Sequence, residues 1–160
     1  MVEEPRIKTL STIRLIGQKR RMSVANNQTK ELWQTFMPQK GTIRHSIDNH
    51  LYSLEVYDST DYFRSFDPTK EFDKWAAIAV SEFTSVPEDM AVLVLPEGRY
   101  AVFSYKGKAS DAPQVYQYIY GEWLPKSEYE LDDRPHFALM GDNYKGDDPD
   151  SEEEIWIPVR

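Results

Sequence analysis

Ile7–Ser23 is strand-like in pattern and rich in β-branched residues, which predicts a strand, and Gly17 marks a place for a bulge. Asn26 and Asn27 follow where a helix cap belongs, and Leu32, Trp33, Phe36 and Met37 recur at helical spacing. Between Leu51 and Tyr57 the alternation returns: Tyr52, Leu54 and Val56 share one face, Leu51, Ser53 and Glu55 the other. Asp58–Asp73 is polar and reads as a loop, and Trp75–Phe83 reads as a strand with Trp75, Ala77 and Ala79 on one side. Met90–Leu95 and Tyr100–Tyr105, joined by Pro96, Glu97 and Gly98, read as a hairpin. Asp111 with Gln114 resembles a capping box, Pro113 suits a first helical turn, and Val115, Ile119 and Trp123 form a buried stripe that stops at Pro125. Phe137–Gly141 and Glu154–Val159 are the closing strands, and Glu154 and Trp156 face away from Ile155, Ile157 and Val159.

The two halves match at an offset of 87 without a gap from Ile13 to Tyr57. Leu32 meets Ile119, Trp33 meets Tyr120, Phe36 meets Trp123, Pro38 meets Pro125 and Tyr57 meets Tyr144. Chance alignment of two amphipathic helices is the alternative, and the matched prolines argue against it. The expectation is one α+β domain over 1–160, built from two pseudo-twofold-related βαββ repeats, about 6–83 and about 90–160. They form antiparallel sheets with helices packed on one face and a ligand cleft between the halves. Taking the faces opposite the helices as those that meet at the axis puts Trp75 and Trp156 opposite each other there. Glu55, Glu154 and Met140 stand nearby, and Tyr52, Tyr118 and Tyr120 are further wall residues. Such a lining suits a flat, apolar, cationic guest.

Composition removes several classes of function. A net charge of −8, with Lys19, Arg20 and Arg21 as the only basic cluster, argues against direct nucleic-acid binding. Cysteine is absent, which excludes disulfides, thiol nucleophiles and Cys-based zinc. His45, His50 and His136 are scattered, the acidic run Asp147–Glu153 lacks the calcium-loop pattern, and no glycine-rich phosphate loop appears, so neither metal nor cofactor is expected. No apolar run has membrane-spanning length, and Glu4 and Pro5 break the start of the chain, so it reads as cytoplasmic with no membrane partner. Ten Tyr, seven Phe and four Trp point to a ring-lined pocket.

Several strings then acquire a joint meaning: Phe72-Asp73-Lys74-Trp75-Ala76, Val86-Pro87-Glu88-Asp89-Met90, Pro96-Glu97-Gly98-Arg99-Tyr100, Tyr120-Gly121-Glu122-Trp123-Leu124-Pro125 and Glu154-Ile155-Trp156-Ile157-Pro158-Val159. In this order and spacing they resemble the GyrI-like small-molecule-binding family of bacterial AraC-type effector-binding domains, especially its stand-alone and integron-cassette members. The resemblance implies a multidrug-type cleft for hydrophobic, often cationic compounds, with transcriptional regulation or drug sequestration as the role. It also implies that any transcriptional role runs through another chain, since no helix-turn-helix pattern is present. Ala138 stands where family members carry the Glu that meets a ligand's charge, and Glu55 or Glu154 would have to replace it. The same departure weakens a second reading, a GyrI-like hydrolase that opens strained cyclopropane rings with a Trp and a Glu, in which Trp75 takes the Trp role. A third reading is a regulatory subunit bound to a protein partner.

Overall fold

In a computed structural model, which describes residues 4–65 and 67–160, all eight strands join one curled antiparallel sheet. The strands are β1 (Arg6–Leu10), β2 (Ile13–Ser23), β3 (Leu51–Val56), β4 (Glu71–Val80), β5 (Ala91–Leu95), β6 (Gly98–Lys106), β7 (His136–Met140) and β8 (Glu152–Pro158). Their order is β1-β6-β8-β7-β3-β4-β2-β5. The sheets expected of the two repeats are therefore continuous, fused where β3 pairs with β7. That pairing sets Leu51 against Met140 and Ser53 against Ala138, and each pair becomes the other when 87 is added to one member and taken from its partner. Tyr52 and Leu139 map onto each other, so the pseudo-twofold axis passes through them.

The hairpin expected from Met90 to Tyr105 does not form. β5 pairs with β2, and β6 pairs with β1 and β8. Each half thus lends its first strand to the other half. The exchange obeys the same offset, since Arg6 opposite Val102 maps onto Leu93 opposite Leu15. Nor is Gly17 a bulge, because β2 and β4 pair without a break from Arg14 to Ser23. A Cβ at Gly17 would overlap the Ala76 carbonyl oxygen and the Ala77 side chain, so close backbone approach is what requires glycine.

The offset changes beyond β3. Lys19 faces Trp75 in the first half, and its counterpart Lys106 faces Glu152 in the second, an offset of 77. Between register-equivalent positions the first half is therefore ten residues longer past β3, although β7 ends sooner and β8 begins later than their equivalents, so the connections themselves, 57–70 and 141–151, differ by less. The connection from β3 to β4 carries a short 3-10 turn, Thr60–Phe63.

Two helices cover one face. α1 (Thr29–Phe36) lays Leu32 and Phe36 on Ile16, Ala76 and Ile78, and the Asn27 side chain accepts a hydrogen bond from the Thr29 amide. α2 (Ala112–Tyr118) runs into a π-helical turn, Ile119–Trp123, and a last turn, Leu124–Lys126. It lays Val115 and Ile119 on Ala101, Phe103 and Ile155. On the other face, among the described residues, no helix is present, yet Leu15, Leu54 and Tyr100 are wholly buried because the sheet curls its strands around one shared cluster.

Candidate functional site

α1 packs on the outer strands of the first half and α2 on those of the second, which leaves the central strands β3 and β7 between them. Strand parity sends Leu51, Ser53, Glu55, His136, Ala138 and Met140 to this helix-bearing face. Ser53 and Ala138 are buried neighbours at its centre. Above them rings gather from both halves. Tyr57 follows β3, Tyr62 and Phe63 come from the 3-10 turn, and Tyr116 of α2 and Tyr120 of the π-helical turn, four residues apart, stack on each other.

The rings touch across the axis. Tyr57 lies 4.4 Å from Tyr62, 4.8 Å from Phe63 and 5.0 Å from His136, centroid to centroid. Phe63 stacks on Tyr120 at 4.7 Å and on His136 at 5.3 Å. Tyr120 stacks on Tyr116 at 6.5 Å, and its hydroxyl shares a 2.9 Å hydrogen bond with His136 Nδ1. The π-helical turn begins beside Tyr120, and such turns re-aim side chains at binding sites.

Charge is held beneath the rings. Lys74 donates to Glu55 at 2.7 Å, and both side chains are only 14% exposed. Burial, followed by the Glu55 carboxylate, raises the phenols of Tyr57, Tyr116 and Tyr120 well above their ordinary value. Tyr62 is raised too, by burial first and then by Asp67 and Glu55. The field of Glu55 therefore reaches four rings despite its ion pair. Burial also raises Glu153, with Glu55 adding to the shift and Lys74 opposing it. His136 is driven down to about 3 by burial and by Arg134, so it is neutral at physiological pH.

The chain matches the family model of the GyrI-like small molecule binding domain over residues 3–160. It belongs to the GyrI-like family. It is 26% identical over 147 residues to the transcriptional regulator BrlR of Pseudomonas aeruginosa, a match that takes in 91% of this chain and spans about half the relative's length, 51%. Among solved structures it resembles the integron cassette protein VCH_CASS2 of Vibrio cholerae, with a TM-score of 0.72, 15% identity, and coverage of 99% of this chain and 97% of that one. It also resembles SAV2435 bound to tetraphenylphosphonium, with a TM-score of 0.70, 19% identity, and coverage of 99% and 94%.

In this GyrI-like chain the residues singled out from sequence divide between two faces. Trp75, Trp156, Tyr52 and Glu154 lie on the helix-free face. There Trp75 and Trp156 are 4% and 7% exposed and belong to the sheet's closed core. They are not opposed across the axis, because the counterpart of Trp75 is Glu152. Glu154 accepts from Arg6 at 2.8 Å and from the Trp156 indole at 3.2 Å. Glu55, Met140 and Tyr120 lie on the helix-bearing face, whereas Tyr118 faces away from the axis toward Asp111 and Gln114. Of the two carboxylates offered to the hydrolase reading, Glu55 is separated from Trp75 by the sheet, while Glu154 shares the face of Trp75 and is bonded to Arg6 and the Trp156 indole. Glu153, not Glu154, shares the face of Ala138.

Sequence reasoning missed Tyr57, Tyr62, Phe63, Lys74, Tyr116, His136 and Glu153. Two signals were available: Tyr116 and Tyr120 are four apart while Tyr118 and Tyr120 are two apart, and Ser53 with Glu55 are polar positions in otherwise apolar central strands.

Proposed function

We propose that this GyrI-like chain binds lipophilic organic cations bearing aromatic groups, in the cleft between its two helices. The observation that carries this reading is the cluster of Tyr57, Tyr62, Phe63, Tyr116 and Tyr120 rings over the helix-bearing face, the face on which strand parity also places Glu55. Ring faces attract a cation, contributing roughly 0.5–2 kcal/mol each, and they accept many shapes because they impose few directional demands. Glu55 supplies the charge that Ala138 does not. A fold relative bound to tetraphenylphosphonium supports the same chemistry. The similarity to BrlR, a transcriptional regulator, supports a sensing role in which the bound cation is signalled to a protein partner.

Titration calorimetry with tetraphenylphosphonium and with its anionic isostere tetraphenylborate tests this directly. The cation is expected to saturate one site and the anion to show none. Glu55→Gln should weaken the cation about tenfold, roughly 1.4 kcal/mol, because it removes the carboxylate and leaves Lys74 uncompensated. Equal binding of both ions, or an unchanged affinity in Glu55→Gln, would refute the assignment.

A further inference from the structure

By strand register the first half holds ten more residues past β3 than the second holds past β7, so the pseudo-symmetry does not require all of the connection from β3 to β4. That connection carries a turn, Thr60–Phe63, whose last ring crosses to the other half and lies flat on Tyr120 and His136. Among the described residues, every hydrogen bond recorded for 59–65 stays inside the connection. Tyr62 N–H donates to the Ser59 carbonyl at 3.2 Å, Arg64 N–H to the Asp61 carbonyl at 3.1 Å, Asp61 N–H to the Ser59 hydroxyl at 3.1 Å, and Lys70 Nζ to the Ser65 carbonyl at 3.2 Å. The Arg64 and Asp61 side chains pair with each other at 2.9 Å. The ends of the connection are tied to the first half, where Arg21 pairs with Asp58 at 2.7 Å and the Ala25 amide donates to the Pro68 carbonyl at 2.8 Å, whereas among the described residues the contacts of the turn with the second half are made by rings.

We propose that Phe63 is a built-in occupant of the cleft, a surrogate ligand that a true ligand must displace, so that the Thr60–Phe63 turn sets the threshold affinity of the site. The inference rests on the binding reading above. A stacked ring held by no polar contact to the far half is replaceable like for like by a ligand's ring, and its departure leaves no buried donor or acceptor unpaired. The displacement lowers the apparent affinity of every ligand by the fraction of molecules in which the turn has already left. A neutral arene recovers only the stacking that Phe63 gives up. A cationic one gains the Glu55 field in addition, so the occupant filters out weak, uncharged guests.

Two measurements on the full chain test this, with tetraphenylphosphonium as the probe. In calorimetry Phe63→Ala should bind it about tenfold more tightly than wild type while melting at a lower temperature without ligand, a combination that lost packing alone does not produce. Phe63→Leu, which keeps the apolar fill, should show a smaller gain of about threefold and covers the case in which the alanine variant fails to fold. In wild type, saturating probe should speed amide exchange at Tyr62 and Arg64, whose hydrogen bonds belong to the displaced turn. Wild-type binding with equal or weaker affinity in both variants, or slower exchange at Tyr62 and Arg64, overturns the surrogate-ligand role and leaves the binding function standing. No binding by wild type or either variant overturns the binding function itself, and this inference with it.

Discussion

His136 shows how a residue that looks unremarkable in sequence becomes a determinant of the site. It begins β7 after Pro135, is buried among Tyr57, Phe63 and Tyr120, and stays neutral because burial and Arg134 disfavour its charge. The folded state holds its proton only below about pH 3, whereas the unfolded chain takes one up near 6.5. The His136 contribution to stability is therefore present above pH 6.5 and lost as pH falls from there toward 3. Thermal melts at pH 7 and pH 5 should show a larger loss for wild type than for His136→Gln, and equal losses would refute the buried neutral state. Sequence made this position hard to read, because an imidazole beside a proline carries no sign of what will be stacked on it. Phe63 was hidden for a related reason: the rings of the polar stretch Asp58–Asp73 have no periodicity to announce them. Glu153 was assigned to the acidic loop because β8 begins at Glu152, earlier than the expected start at Glu154.

The elements themselves were largely legible. Alternation located most strands to within a few residues, but the one strand expected over Ile7–Ser23 is two, β1 and β2, which pair in different halves, and β4 begins at Glu71 ahead of the expected Trp75. Both helices lie where expected, although the Asp111 side chain makes no cap hydrogen bond and the capping box does not form. Which sheet face lies under the helices was not legible, for a physical reason. A face covered by a helix and a face closed by curling both demand apolar side chains, so Leu54, Trp75 and Phe137 look the same in either situation. The gap between the helices instead falls over Ser53 and Glu55, where polarity is tolerated. Tight pairing within the sheet has its own test. Gly17→Ala should cost about 1–3 kcal/mol in denaturant titration, since its Cβ meets the backbone of β4 and not the end of a movable side chain. A neutral result would show that β2 and β4 can part locally.

At the scale of the whole molecule, the repeat offset of 87 proved to organise more of the chain than the alignment from Ile13 had shown. It extends back to β1 and holds through β3, past which the first half is ten residues longer by register. The strand exchange was invisible to pattern reading, because Pro96-Glu97-Gly98 suits a hairpin turn whether or not the flanking strands pair. A chain shortened to begin at Ser11 loses the partner of β6, not of β2. Amide exchange should then accelerate along one edge of β6, in the second half of the molecule, and faster exchange confined to β2 would contradict the exchanged topology.

The exchange also limits how room for a guest can be made. With β1 and β5 laced into opposite halves and β3 bonded to β7 along the axis, no seam exists along which the molecule can hinge open without breaking ladder hydrogen bonds. Under the proposed function, adaptation to guests of different size would fall to side chains and the turn Thr60–Phe63, since opening the sheet costs ladder hydrogen bonds.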